Sequence, residues 1–260
     1  MIPSITLNNG VEMPSIGLGV YQIPDGEVER AVHTALEAGY RAIDTAALYR
    51  NERGVGAAVR SSDLPREELF VTTKVWNTDH GYDRALRAFD TSLAKLGLDY
   101  VDLYLIHWPV PQQDRYVDTW RALEKIRADG RARAIGVSNF AVPQLRRLLD
   151  ETDVVPAVNQ IELHPLLPQA EPREFGAAHG IVTESWSPLA RGRLLGHRIL
   201  TGIARKHGKT AAQVVLRWHV QLGLVAIPKS KTAARIAENI DIFDFELDSA
   251  DLDAIGTLGA

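Results

Sequence analysis

Four side chains in the first half of the chain could act together. Asp44 closes the run AID, Lys74 closes VTTK, His107 closes YLIH, and Tyr49 follows Asp44 by five residues. A lysine inside the β-branched run LFVTTKVWN is out of place. Burying its ammonium costs several kcal/mol unless it is paired or loses its proton. Asp44 can supply the carboxylate. An ammonium beside a phenol favours the phenolate, so Lys74 is expected to draw Tyr49 from a pKa of about 10 towards neutrality. A tyrosine tuned in that way is a competent general acid. His107 would add a hydrogen bond to an oxygen on which negative charge develops. Nothing in the set is a nucleophile of the serine–histidine–aspartate kind. An acid without a nucleophile suits carbonyl reduction, in which a cofactor brings the electron pair.

Each of the four has a plainer reading. Lys74 could snorkel to solvent or pair with a structural carboxylate. A lone His107 is more often a satisfied core histidine than a catalytic one. Asp44 could cap the loop that follows it, and Tyr49 could pack on a rim. The joint reading gains because three of them fall at the same end of three consecutive strands.

The elements that must position them form a regular alternation. ITLNNGVEMP reads as an opening hairpin turning at NNG. Eight β-rich runs follow, from IGLGV through AID, LFVTTK, YVDLYLIH, ARAIGVS, PAVNQIEL and IVTESWS to LVAIPKS. Each leads into a helix-like stretch. Eight such units in 260 residues point to a (β/α)8 TIM barrel, with residues 1–260 as one domain. The alternative is an open doubly wound sheet. That fold wants G-x-G-x-x-G after its first strand, whereas GLGVYQ has Gln22 in the place of the third glycine. A barrel collects its functional groups where strands end. Further polar residues stand there: Ser138 and Asn139, then Asn159, Gln160 and Glu162, then Glu184, Ser185 and Ser187, then Lys229 and Ser230.

Composition removes several classes. Apolar residues make up 45% and charged residues 24%, as in a globular protein with a sizeable core. The net charge of −4 and the absence of a basic run argue against nucleic acid as a partner. No apolar run is long enough to span a membrane, and the N-terminus lacks a leader pattern, so a cytoplasmic setting is expected. Cysteine is absent, which removes disulfides, thiolate metal sites and a thiol nucleophile. The histidines show neither H-x-H nor H-E-x-x-H spacing, so no metal is expected. No Y-x-x-x-K occurs, which excludes the short-chain dehydrogenase pattern.

GYRAIDTAALYRNERGVG, VTTKVWN, LYLIHWP, IGVSNF, NQIELHP, WSPLA and IPKSKTAARIAEN together resemble the aldo-keto reductases. The likeness is greatest to the bacterial branch that includes 2,5-diketo-D-gluconate reductases and related small-aldehyde reductases. The resemblance implies a TIM barrel with an N-terminal β-hairpin closing its bottom and extra helices near the C-terminus. It implies NADPH or NADP+ bound in an extended pose, without a Rossmann domain, and a monomer. It implies a catalytic tetrad of Asp44, Tyr49, Lys74 and His107. Hydride would come from NADPH and the proton from Tyr49. Ser138, Asn139 and Gln160 would hold the nicotinamide carboxamide, and Trp186 would stack on the ring. Ser187 and Leu189 would lie along the pyrophosphate. Lys229, Ser230 and Arg235 would clamp the 2′-phosphate, and Glu238 and Asn239 would meet the adenine. Tyr21, Trp76 and Trp108 would wall a site for a small, partly apolar carbonyl compound. Relatives of this kind continue in a tail that folds over the substrate, whereas this chain ends at IGTLGA.

Two rival functions follow from the same residues. A non-catalytic NADPH-binding regulatory subunit would keep IPKS and Arg235 but would not need all four tetrad residues. A metal-dependent TIM-barrel hydrolase would need a ligand cluster that the spacing does not offer.

Overall fold

The computed structural model describes residues 2–259. The chain opens with an antiparallel hairpin, β1 (Ser4–Thr6) and β2 (Glu12–Pro14), in which Ile5 faces Met13. Eight parallel strands follow: β3 (Leu18–Gly19), β4 (Ala42–Asp44), β5 (Phe70–Val75), β6 (Val101–Ile106), β7 (Ala132–Ser138), β8 (Val158–Glu162), β9 (Val182–Trp186) and β10 (Val225–Ile227). They pair in sequence order from β3 to β10. Helices α1 (Asp25–Glu37), α2 (Glu52–Ser61), α3 (Tyr82–Leu96), α4 (Tyr116–Ala128), α5 (Val142–Glu151) and α6 (Ala170–Ala178) follow β3 to β8 in turn. The last two strands carry two helices each: α7 (Arg198–His207) and α8 (Ala211–Gln221) after β9, α9 (Ala233–Ile240) and α10 (Ser249–Gly256) after β10.

The ends of the sheet meet. Gly17 N–H donates to Ala226 O at 2.9 Å, Ala226 N–H to Ser15 O at 3.0 Å, and Gly19 N–H to Pro228 O at 3.1 Å. A parallel sheet that closes on itself is a TIM barrel. The closure is tight: a Cβ at Gly19 would stand 2.9 Å from Ile227 O, so glycine is needed where β3 approaches β10. The two closing strands are shorter than the runs IGLGV and LVAIPKS suggest. Pro228 has no N–H to extend the β10 ladder.

Two apolar layers hold the barrel. Outward residues such as Ile43, Val71, Val75, Tyr104, Ile106, Ile135 and Val137 pack against the helices. Inward residues at the strand starts, including Ala42, Phe70, Leu103, Leu105, Ala134, Val158 and Val225, pack with Leu7 and Met13 of the hairpin. The hairpin therefore covers the N-terminal end, and the C-terminal end is left for the site.

Candidate active site

Side chains alternate in and out along each strand. Counting up from the apolar inward layer, Phe70 leads through Thr72 to Lys74, Leu105 to His107, Ala134 through Gly136 to Ser138, and Val158 to Gln160. Ala42 leads to Asp44, and Val182 through Glu184 to Trp186. The inner surface thus turns from apolar to polar within two residues on strand after strand. Tyr49 is delivered by the short 3₁₀ turn Ala47–Tyr49 after β4. Buried Asn51 pins that loop. It accepts from Thr45 Oγ1 at 2.7 Å and donates to Val20 O and Ile23 O, each at 2.9 Å.

Lys74 is fully buried. Its Nζ donates to Asp44 Oδ1 at 2.5 Å and to Thr45 O at 3.0 Å. Burial pulls the lysine down, but the Asp44 charge and the hydrogen bond to it, joined by the Tyr49 phenolate only once that phenol ionises, more than compensate. The lysine is held above its ordinary value and stays an ammonium. Nζ lies 5.1 Å from the Tyr49 ring centroid. Here one expectation is corrected. Lys74 does draw the Tyr49 phenol down, but burial pushes it up by more, and Asp44 adds to the rise. The phenol ends above its ordinary value rather than near neutrality. Tyr49 therefore holds its proton at neutral pH, and Lys74 is placed to stabilise the phenolate left when that proton goes.

Burial, reinforced by the Lys74 charge, brings His107 down to about 3, so its imidazole is neutral. Its ring sits edge-on to Tyr49 at 5.6 Å and to Trp76 at 5.1 Å, centroid to centroid. Nδ1 is buried without a partner. A neutral histidine on the wall of a cavity can donate one N–H to an oxygen held there.

The cavity has a volume of about 550 Å³. Asp44, Tyr49, His107, Ser138, Asn139, Gln160, Trp186, Ser187, Leu189 and Lys229 all line it, as do Tyr21, Trp76 and Trp108. Lys74 lies behind this wall. Ser230, Arg235, Glu238 and Asn239 do not line the cavity. They lie along the segment that runs from the end of β10 through α9. Glu238 is engaged by Thr210 Oγ1 at 2.7 Å. Asn139 is also engaged: Nδ2 donates to His107 O and Ser138 Oγ, each at 3.0 Å, and Oδ1 accepts from Trp186 Nε1 at 2.8 Å. Among the described residues, no three histidine, aspartate or glutamate side chains are grouped to hold a metal ion.

Sequence reasoning passed over Gln22, Leu48, Pro188 and Arg191 on the wall. It also passed over the part Glu184 plays behind it. Gln22, Ser187 and Arg191 have φ of 58°, 49° and 54°. Left-handed backbone at non-glycine residues carries strain that gathers at functional loops. The fragments GVYQIP and SPLARG give no signal of this.

A family model described as the aldo/keto reductase family matches residues 15–259. The chain is 55% identical over 256 residues to the glyoxal reductase of Bacillus subtilis, covering 98% of this chain and 92% of that protein. It is 54% identical over 261 residues to the methylglyoxal reductase of Yersinia pestis, covering 99% and 93%. A crystal structure of a Gox0644 mutant in complex with NADPH superposes with a TM-score of 0.96 at 48% identity, covering 99% of this chain and 94% of that one.

Proposed function

The chain belongs to the aldo/keto reductase family and is an NADPH-dependent enzyme of it, and from that premise we propose that it reduces small α-dicarbonyl compounds, with methylglyoxal and glyoxal as the first candidates. The observation that carries the reading is Tyr49, still bearing its proton, beside the buried Lys74–Asp44 pair and the neutral His107 at one cavity.

NADPH, when bound, supplies the hydride that reduces the carbonyl carbon. The chain's own residues do the rest. His107 donates an N–H to the carbonyl oxygen and orients it. Tyr49 gives its proton to that oxygen as charge develops there. Lys74 stabilises the phenolate that remains, and Asp44 keeps Lys74 charged and in place. The cavity suits such a cofactor in the chemistry of its wall. Trp186 offers a flat indole, Gln160 a carboxamide, and Lys229 and Arg191 two cations. Lys229, Ser230 and Arg235 are proposed for the 2′-phosphate, with Glu238 and Asn239 towards the adenine. Ser138 and Asn139 are proposed for the nicotinamide carboxamide, alongside the bonds they already make within the protein. On Asn139 Oδ1 one lone pair is left over from the Trp186 bond.

The wall near Tyr49 and His107 favours neutral substrates over keto sugar acids such as 2,5-diketo-D-gluconate. Tyr21, Leu48, Trp76 and Trp108 offer apolar surface and no cation for a carboxylate. A regulatory subunit would have no use for a buried ammonium held against a protonated tyrosine. We propose residues 1–260 as one catalytic domain acting as a cytoplasmic monomer; no helix among the described residues is long and apolar enough to cross a membrane.

The test is consumption of NADPH with methylglyoxal, glyoxal and 2,5-diketo-D-gluconate. The reading expects the two small aldehydes to have the higher kcat/KM. Faster turnover of the sugar acid would overturn the substrate assignment, and no turnover of any carbonyl would overturn the activity.

A further inference from the structure

Behind the wall lies a buried acid that this mechanism does not use. Glu184 sits in β9, inward facing and 1% exposed. It stands opposite Gln160 in the register of β8 and β9. The Gln160 amide is shared between two acids: Nε2 donates to Asp44 Oδ2 at 2.8 Å and to Glu184 Oε2 at 2.7 Å. A primary amide has two N–H donors, and both are taken. The carboxamide cannot turn without breaking a buried hydrogen bond, which is costly in a dry interior. Its carbonyl oxygen is the atom left over, on a side chain that lines the cavity.

Charge adds a second constraint. The groups facing Glu184 are Asp44 from β4, Lys74 from β5 and the uncharged Gln160 from β8, and Val225–Ile227 of β10 brings no titratable group. Two carboxyls therefore share one ammonium. Burial, then the Asp44 charge, pushes Glu184 up to about 8. It is neutral at lower pH and negative above.

We propose that Glu184 is a positioning residue that acts through Gln160: it fixes the carboxamide oxygen that meets the amide of the nicotinamide, and when it ionises it weights binding towards the positively charged NADP+ ring. The inference rests on the NADPH reading of the same cavity. Glu184 touches neither substrate nor reacting atoms in it. Its influence is on which redox form of the cofactor the pocket holds, and so on how readily product cofactor leaves as pH rises.

The test is a titration of NADPH and of NADP+ by tryptophan-fluorescence quenching from pH 6 to 9. It is run on the wild type, Glu184→Gln and Glu184→Leu, with circular dichroism as the check on folding. The ratio of the two affinities cancels any titration that both cofactors share. In the wild type this ratio should move towards NADP+ by about tenfold over that range. In Glu184→Gln, which keeps an acceptor but cannot ionise, it should stay flat. Glu184→Leu should weaken both forms by about tenfold, because Gln160 loses one of its two anchors. A Glu184→Gln ratio that follows the wild-type slope overturns the proposal. So does a folded Glu184→Leu that binds both forms as the wild type does. If Glu184→Leu does not fold, the Glu184→Gln slope decides alone. Wild type that binds neither form would sink the NADPH reading and this inference with it, a result distinct from failure in the variants.

Discussion

Lys74 Nζ lies 2.5 Å from Asp44 Oδ1, with the lysine fully buried in the barrel and the carboxylate nearly so at the cavity wall. A pair so buried gains little stability over an apolar replacement of both partners, but removing one partner leaves the other charge stranded. This asymmetry makes the pair more informative about chemistry than about folding.

Lys74→Met should cost about 3–5 kcal/mol of stability, the usual price of an uncompensated buried charge. The variant should still fold, because the apolar layers on both sides of the sheet remain. Its kcat should fall by about 10²-fold or more, since the phenolate loses its counter-ion. Urea unfolding and steady-state kinetics on the same preparation separate the two effects. A folded variant with near-normal kcat would remove Lys74 from the mechanism. Lys74→Met combined with Asp44→Asn should recover stability without recovering rate.

Much of this was legible in the chain, and the illegible part has physical causes. The strand ends carrying Asp44, Lys74 and His107 stand out because charged residues break β-branched runs. The alternation of strand and helix likewise gave the barrel. The net shift of Tyr49 could not be read, because burial is set by what packs over the 47–49 turn, not by Lys74. Glu184 was visible as a polar residue near a strand end. Its tie to Asp44 passes through Gln160 and depends on the β8–β9 register, which no local pattern encodes. Arg191 reaches the wall through a left-handed loop that nothing in the fragment ARG announces.

Stability should fall on the acid side. Burial lowers His107 to about 3 and His80 and His219 to about 4, from an ordinary 6.5. Because the unfolded chain takes up these protons first, the contribution is present above about pH 6.5 and drains as pH falls through about 4 for His80 and His219 and about 3 for His107. For the fully buried His219 it amounts to about 3 kcal/mol. Glu184 acts in the opposite sense. Its folded value of about 8 lies above the ordinary 4.5, so its contribution is complete below about pH 4.5 and lost as pH rises through 8. Urea midpoints measured from pH 4 to 9 should fall below pH 6.5, and Glu184→Gln should lessen the alkaline loss. A midpoint that is level down to pH 4 would contradict the buried-histidine account.

Lys229→Ala and Arg235→Ala should each weaken NADPH by about tenfold or more and leave NADH nearly as it was. Only the 2′-phosphate distinguishes the two cofactors, and charge-assisted hydrogen bonds to it are worth about 1.5–3 kcal/mol each. Dissociation constants for both cofactors in both variants are the check. Equal losses for NADPH and NADH would place these side chains elsewhere along the cofactor.

The most direct measurement is the rate of NADPH consumption with methylglyoxal by wild type and by Tyr49→Phe, each shown to be folded and to bind NADPH. Removing one oxygen atom takes away the acid and spares the packing of the ring. Turnover by wild type with a loss of about 10²- to 10⁴-fold in the variant, at similar NADPH affinity, is the expected result. Turnover by Tyr49→Phe within a few-fold of wild type would contradict the central claim that Tyr49 delivers the proton.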